Sequence, residues 1–281
     1  MKQRGNSGGE AVRAYLDCLR EEEHSEATIH KYARDIARFL NFAGGRLDKS
    51  ALLGWKAQLV GNGYAPQTVN SMLAAVNGLF AFLGREDQRV KPVKCQRAIF
   101  RAKERELTKA EYLRLLDTAR RQGKNRLFLI METVCATGIR ISELRYITVQ
   151  AARAGRAEVD CKGKRRIILI PRKLCGQLLN WARKRGINAG PVFQTGGGKP
   201  VDRSNVWREM KRLCGAAGVD PRKVFPHNLR HLFAVVFYKA EKDIAKLADV
   251  LGHASINTTR IYIMETGTEH ERQLSRLGLV V

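Results

Sequence analysis

The sequence predicts a mainly α-helical protein of two domains with one small β-hairpin. The chain has 281 residues, and at roughly 150 residues per domain this length favours two domains with their own hydrophobic cores. Apolar residues recur at helical spacing over most of the chain. Only two short β-prone runs occur, and they flank a basic turn.

The first part of the chain, residues 10–84, is predicted to form four helices behind a flexible amino terminus at 1–9. The first helix spans about 10–22. Ser25 is the expected cap of the second helix, and Asp48 precedes the third, which ends near Gly61. The fourth begins at Pro66, because proline suits a first helical turn, and ends at Gly84.

A basic stretch, residues 85–105, follows this helical part. It lacks clean helical periodicity and contains the Lys91-Pro92 pair. We interpret it as a linker between the two domains, and its positive charge suits contact with a phosphate backbone.

The larger part, residues 106–281, begins with a capping box of Thr108 and Glu111 that opens a helix to about Arg121. An apolar helix over about 125–137 stops at Gly138, and another helix is expected from about Arg140. The β-prone runs are 158–161 and 166–170. Later helices are predicted at 172–185, 202–217, 227–241, 244–251 and 255–264, before a capping box at Thr268 and an apolar tail at 277–281.

Charge and composition restrict the classes of function. The net charge is +24 and the isoelectric point is near 10.3, which indicates a polyanionic partner. With 44% hydrophobic and 28% charged residues the chain is folded rather than disordered. Its six cysteines are scattered without a C-x-x-C pair, which favours a reducing compartment and no structural zinc. No signal peptide or membrane span is predicted, so we expect a cytoplasmic protein.

Four short clusters carry chemistry, and each alone is a weak signal. In chain order they are Thr137-Gly-Ile-Arg140-Ile-Ser-Glu143-Leu, Cys161-Lys162-Gly-Lys164, His227-Asn-Leu-Arg230-His231, and Leu251-Gly-His253 with Tyr262. His227 and Arg230 are three residues apart, so they share a helix face. Pro226 places that face at a helix amino terminus, which attracts anions. His253 is expected in a turn between two helices.

Taken together, the clusters resemble those of the tyrosine recombinase family, also called the phage integrase family. The likeness covers nearly the whole chain, since the four predicted helices resemble the family's SAM-like core-binding domain. It implies a mixed α/β catalytic domain of the DNA breaking-rejoining type over 106–281, with a carboxyl-terminal docking tail. It also implies that the two domains form a clamp around DNA.

The resemblance implies a role for each matched residue. Tyr262 matches the nucleophile, and Arg140 and Arg230 match the arginines that hold the scissile phosphate. His253 matches the histidine that hydrogen-bonds this phosphate, and Lys162 matches the proton donor to the leaving 5′ oxygen.

Further residues of the site are expected to move protons or to orient the catalytic groups. His227 is our first candidate for the proton acceptor, because a phenol is mostly protonated at neutral pH. Glu143 is expected to orient the site, and Lys164 is the alternative to Lys162, since this hairpin is one residue tighter than the family pattern. His231 is expected to be structural, pointing to a different face near Phe233. Preorganised arginines and histidines supply positive charge without a metal or cofactor.

Other basic and polar residues are predicted DNA contacts. The second and fourth helices of the first domain are expected to enter the major groove. The candidates are Lys31, Arg34, Gln67, Thr68, Lys91, Lys94, Arg165 and Arg166.

The implied function is site-specific recombination through a 3′-phosphotyrosine and a Holliday junction. The partners are duplex DNA with short inverted-repeat core sites and three further copies of the chain, with a monomer left open for the free protein. No room for an arm-binding domain precedes the first helix, so a simple recombinase is expected. Integration, excision, inversion, resolution and transposon movement stay open. The alternatives are a type IB topoisomerase and a DNA-binding protein without catalysis.

Overall fold

The computed structural model describes residues 7–94, 106–161, 164–253, 255–263 and 275–276. The chain divides into two compact units, Met1–Arg97 and Ala98–Val281. The predicted capping box at Thr268 and the apolar tail at 277–281 lie outside the described residues. No helix in these described ranges is both long and apolar enough to cross a bilayer.

Four helices make up the described part of the first unit: α1 (Ser7–Glu21), α2 (Glu26–Ala43), α3 (Lys49–Gly61) and α4 (Pro66–Phe82). Ser25 and Asp48 cap α2 and α3 as predicted, each accepting a backbone N–H. The expectation of a flexible segment up to residue 9 is wrong for residues 7–9, because α1 begins at Ser7. Its first four residues are Ser, Gly, Gly and Glu, so no apolar periodicity marks its start.

The core of this unit forms where α2, α3 and α4 meet. Ile36, Phe39, Leu52, Val76 and Phe80 are completely buried there. The named residues lie three apart on α2 and four apart on α4, so one apolar face of each of these two helices lies inward.

The start of the predicted linker packs on this unit. A short 3₁₀ turn, Glu86–Gln88, is followed by extended chain. The side-chain amide of Asn77 exchanges two hydrogen bonds with the backbone of Val90, and Asn70 does the same with Val93. These amides supply the partners that an extended segment without a sheet needs, so the chain follows α4 as far as Val93.

The second unit contains eight further α-helices and one hairpin among its described residues. They are α5 (Lys109–Arg121), α6 (Asn125–Thr137), α7 (Val149–Ala154), β1 (Arg156–Cys161), β2 (Lys164–Leu169), α8 (Arg172–Lys184), α9 (Arg203–Ala217), α10 (Pro226–Glu241), α11 (Ile244–Leu251) and α12 (Ile256–Ile263), with 3₁₀ turns at Ile141–Tyr146 and Pro221–Lys223.

The segment after α6 differs from the prediction. The helix expected from Arg140 is a 3₁₀ helix, Ile141–Tyr146, whose first turn is closed by a bond from the Arg140 backbone N–H to the Glu143 carboxylate. A separate helix, α7, follows under a Thr148 cap. Its six residues are too few for a periodic pattern, so the sequence did not predict it.

The hairpin is antiparallel, with its register running from Arg156 opposite Leu169 to Cys161 opposite Lys164. Val159 and Ile168 are buried, whereas Ile167 and Leu169 are exposed, as the alternation of side chains along a strand requires. The hairpin therefore lays one face on the core of the second unit.

Candidate active site

Arg140, His227 and Arg230 line one cavity of about 470 Å³ in the second unit. Arg140 follows the end of α6, whereas the other two lie in the first turns of α10. Trp207 of α9 forms part of the wall. The fold therefore brings together cationic side chains that lie about 90 residues apart in the chain, as the resemblance predicts.

Arg230 is held by main-chain oxygen atoms from two other segments. Its guanidinium donates to the carbonyl of Gly138 at 2.5 Å and to that of Leu251 at 2.8 Å. Burial, with the nearby charge of Arg140, lowers the pKa of Arg230 to about 10, and the phenol of Tyr262 partly offsets this. Arg230 thus stays cationic at neutral pH and occupies one fixed position beside the cavity.

The turn that joins α11 to α12 presents His253. A guanidinium only donates, so the bond between Arg230 and Nε2 of His253, at 2.9 Å, assigns Nε2 as the acceptor. Nδ1 then carries the proton and donates to Oγ1 of Thr259 at 2.8 Å. Burial and the charges of Arg230, Arg140 and Arg166 lower the pKa of His253 to about 4. The imidazole is therefore neutral in the free protein.

Tyr262 lies on α12 and is only 6% exposed. Its ring centroid is 5.8 Å from that of His227 and 5.7 Å from that of His253, with which it stacks. The phenol also interacts with Arg230. The ring is thus surrounded by the other predicted site residues of the same chain and not by an apolar interior alone.

His231 contributes to this environment, which corrects its expected direction. It is 3% exposed, and its ring centroid lies 5.4 Å from that of Tyr262. Its Nε2 lies 3.4 Å from the carboxylate of Glu106. The first two turns of α10 therefore present both His227 and His231 towards the nucleophile candidate.

Glu143 is 1% exposed and accepts hydrogen bonds from two arginines. The Arg140 backbone N–H and guanidinium donate to it at 2.7 and 3.0 Å, and Arg166 donates at 2.5 Å. Burial alone would raise the pKa of Glu143, but the bond from the Arg140 backbone and the two guanidinium charges outweigh it and lower the pKa. Glu143 is thus a carboxylate that orients Arg140.

Arg166, a predicted DNA contact, lies mostly inside the second unit. Its side chain is 13% exposed and is directed at Glu143, and it also donates to the carbonyl of Val250. The sequence did contain a signal: Arg166 is two residues before the buried Ile168, so both lie on the inner face of β2. Thr259 was missed as well, although it is three residues before Tyr262 and shares its helix face.

The structure describes only one of the two hairpin lysines. Lys162 lies outside the described residues, and Lys164 is the first residue of β2, paired with Cys161. The side chain of Arg165 is 89% exposed, on the outer face.

The candidate DNA contacts of the first unit differ in their surroundings. The Lys31 ammonium donates to the buried Asp35 carboxylate and to the carbonyl of Ser71, so it already has partners within the unit. The side chains that lie exposed are Arg34, Gln67, Thr68, Lys91 and Lys94. All of these DNA contacts stay predictions.

Comparison with known proteins agrees with this geometry. Residues 105–269 match the family described as the phage integrase family, and residues 12–87 match its N-terminal SAM-like domain. The tyrosine recombinase XerA of Thermococcus kodakarensis is 31% identical over 94% of this chain and 92% of its own. The chain belongs to the phage integrase family.

Solved structures of tyrosine recombinases share the fold. A XerH site-specific recombinase bound to a palindromic difH substrate, in a post-cleavage complex, has a TM-score of 0.72 at 20% identity over 96% of this chain and 84% of that one. A lambda integrase tetramer bound to a Holliday junction has a TM-score of 0.71 at 18% identity, covering 90% and 76%. The mainly helical architecture with one small antiparallel sheet is thus that of a tyrosine recombinase.

Proposed function

We propose that this tyrosine recombinase cleaves and rejoins DNA at specific sites, with Tyr262 as nucleophile and Arg140, Arg230 and His253 as the phosphate-binding groups. The observation that carries the proposal is the shared cavity of Arg140, His227 and Arg230, with Tyr262 beside His227, His253 and Arg230. Residues 10–84 then form a DNA-binding domain and residues 106–281 the catalytic domain.

In the cleavage step the Tyr262 oxygen attacks phosphorus and forms a 3′-phosphotyrosine, while the bond to the 5′ oxygen breaks. Negative charge grows on the non-bridging oxygens, where donors fixed in advance stabilise it most. Arg230 suits this task because main-chain bonds hold it in place. Arg140 is held by Glu143 and exposes 43% of its side chain, which leaves nitrogen atoms for a phosphate.

Two protons move in this step. The phenol proton passes to His227, which lines the cavity and lies beside the Tyr262 ring; His253 is less suited, because Arg230 occupies its accepting nitrogen. The leaving 5′ oxygen takes a proton from Lys162, or from Lys164 in the alternative assignment. One phosphodiester replaces another, so a free 5′ hydroxyl reverses the step without ATP or water.

The relatives extend this proposal to the assembly. A lambda integrase tetramer binds a Holliday junction and XerH binds a palindromic substrate. By analogy, four copies of this chain bring together two inverted-repeat core sites in the cytoplasm and exchange strands in pairs. Since Tyr262 lies beside Arg230 of its own chain, we propose that each subunit supplies its own nucleophile.

The first test begins with a pool of random-sequence duplexes that each carry one nick. The wild-type protein selects its site from this pool by forming an SDS-resistant covalent adduct. Tyr262→Phe is then tested on the selected duplex. The nick lets the short fragment that carries the free 5′ hydroxyl diffuse away, so the adduct accumulates. The variant is expected to bind the selected duplex normally and to form no adduct, because only the attacking oxygen is removed. Denaturing gels measure the adduct, and electrophoretic mobility shift measures binding.

Tyr238→Phe is the matched control, since Tyr238 lies on the same unit and interacts with Lys242 instead of the cavity. It is expected to form adduct at the wild-type rate. Adduct formation by Tyr262→Phe would contradict the assignment. A wild type that binds a site but never forms adduct would favour a DNA-binding protein without catalysis, and relaxation of supercoils irrespective of sequence would favour a topoisomerase.

A further inference from the structure

The guanidinium of Arg166 connects three segments of the catalytic unit. It lies on β2, it donates to Glu143 at the 3₁₀ helix after Arg140, and it donates to the carbonyl of Val250 at the end of α11, at 2.9 Å. Glu143 and Val250 each lie three residues from a proposed phosphate-binding group, Arg140 and His253. Arg166 therefore bridges the supports of both groups without lining the cavity.

A glycine at the end of α11 makes room for the Arg166 side chain. Gly252, at φ 65°, lies against its side chain, and a Cβ atom there would come within 2.3 Å of Cδ of Arg166. The other strand has its own anchor, because the Tyr146 hydroxyl donates to the carbonyl of Asp160 at 2.7 Å. The 3₁₀ helix thus holds both strands of the hairpin, and β2 is held through Arg166.

We infer that Arg166 is a positioning residue that keeps Arg140 and His253 in place for the scissile phosphate. The inference rests on the proposed function and adds a group that does not touch the substrate. It replaces the DNA contact predicted from the sequence.

The physical reason lies in how one carboxylate is shared. Glu143 is buried with two guanidinium groups, and a buried carboxylate attracts every available donor strongly. Arg166 and the Arg140 backbone N–H donate to Oε2, so the Arg140 guanidinium bonds Oε1 alone and keeps its other donors for the phosphate. Without Arg166, we expect Arg140 to turn inward and satisfy both oxygens, and the α11 terminus to lose its tie to the hairpin. The charge of Arg166 also contributes to lowering the pKa of His253.

Arg166→Met tests the inference on the full-length chain and the nicked duplex selected by the wild type. A displacement of reacting groups by about 1 Å lowers rates on the order of 100-fold, so a fall of that size is expected in the single-turnover rate of adduct formation at saturating protein. Binding of the duplex is expected to change little. Arg183→Met is the matched control, since Arg183 is exposed on α8 and donates only to Asn180 among the contacts described.

A double-mutant cycle with Glu143→Gln separates positioning from general stability. If Arg166 acts through Glu143, the double variant is no slower than the slower single variant; multiplying effects would overturn the inference. Full activity of Arg166→Met would overturn it as well. Should this variant unfold, Arg166→Lys decides: lysine keeps the charge but lacks the planar fork that reaches two acceptors, so a wild-type rate there overturns the inference and a fall supports it. Failure of the wild type itself to form adduct would instead refute the proposed function.

Discussion

At the scale of the residue, His253 shows how neighbours determine which state a side chain adopts. Arg230 donates to its Nε2 and Thr259 accepts from its Nδ1, so the neutral ring satisfies both contacts. An imidazolium would place a second charge beside a guanidinium in a half-buried turn. A bound phosphate would bring negative charge to the same place and favour the protonated ring.

We therefore expect His253 to titrate at about pH 4 in the free protein and at higher pH in the complex of Tyr262→Phe with its duplex. Carbon-proton NMR of the imidazole Cε1 position measures both values, with His253→Gln identifying the signal. Because the folded pKa lies below the unfolded value of 6.5, the unfolded chain binds the extra proton between these values. Stability from this group is thus lost as the pH falls from about 6.5 to 4.

A signal for His253 that titrates above pH 6 in the free protein would contradict this assignment. So would the same pKa with and without DNA, because the phosphate would then not approach the ring.

At the scale of the element, close packing of α6 against α10 determines where Arg230 lies. Gly138 ends α6 with φ at 65°, and a Cβ atom there would come within 2.4 Å of the Phe233 ring on α10. Its carbonyl is also an acceptor for Arg230. A single glycine therefore ends one helix, admits the other and holds the arginine.

Gly138→Ala is expected to destabilise the second unit more than Gly155→Ala does. Gly155 ends α7 at a similar φ of 68° but has open space around it. Its substitution is therefore expected to lower the free energy of unfolding only by the strain of a left-handed alanine, about 1–2 kcal/mol. Gly138→Ala adds overpacking against Phe233, about 1–3 kcal/mol more. Urea unfolding of the full chain measures the free energy of unfolding of both variants. A Trp55→Phe background leaves Trp181 and Trp207, both in the second unit, as the fluorescent reporters.

An equal loss of unfolding free energy in the two glycine variants would mean that α10 moves aside freely. Slower adduct formation by Gly138→Ala, but not by Gly155→Ala, would add that this packing positions Arg230.

At the scale of the whole molecule, the net charge of +24 gives a strong electrostatic attraction to DNA. Most of this charge lies outside the cavity, on exposed lysines and arginines. Such charges bind the phosphate backbone by releasing its counterions, irrespective of sequence. In the proposed function, the cavity thus serves catalysis and the charged surface serves the capture of DNA.

Binding of the selected duplex by Tyr262→Phe is expected to weaken steeply with salt, by about 10³- to 10⁵-fold between roughly 50 and 200 mM if six to ten phosphates are contacted. Lys91→Ala and Lys94→Ala test two exposed candidates, and each is expected to reduce the slope of log affinity against log salt by about one. Fluorescence anisotropy measures the slopes. An unchanged slope in both variants would remove these lysines from the interface.

Much of the fold follows from local sequence. The caps at Ser25, Asp48 and Thr108 and the helix stop at Gly138 lie where their residue types predict, because each acts through backbone atoms three or four residues away. The boundaries after Arg140 were missed, since the Arg140–Glu143 capping box resembles the start of an α-helix but closes a 3₁₀ turn. The candidate site residues Arg140, Arg230, His253 and Tyr262 were proposed from the order of their motifs.

The sequence by itself determined most of the helices, the hairpin and the candidate arginines and histidines of the site, because propensity and capping act over short distances and the motifs can be recognised from their order along the chain. Only the tertiary structure decided what those side chains bind. It turned Arg166 inward to Glu143, gave Lys31 a buried partner in Asp35, and assigned the protonated nitrogen of His253. These outcomes depend on atoms from segments far apart in the chain, and burial gives such contacts their strength.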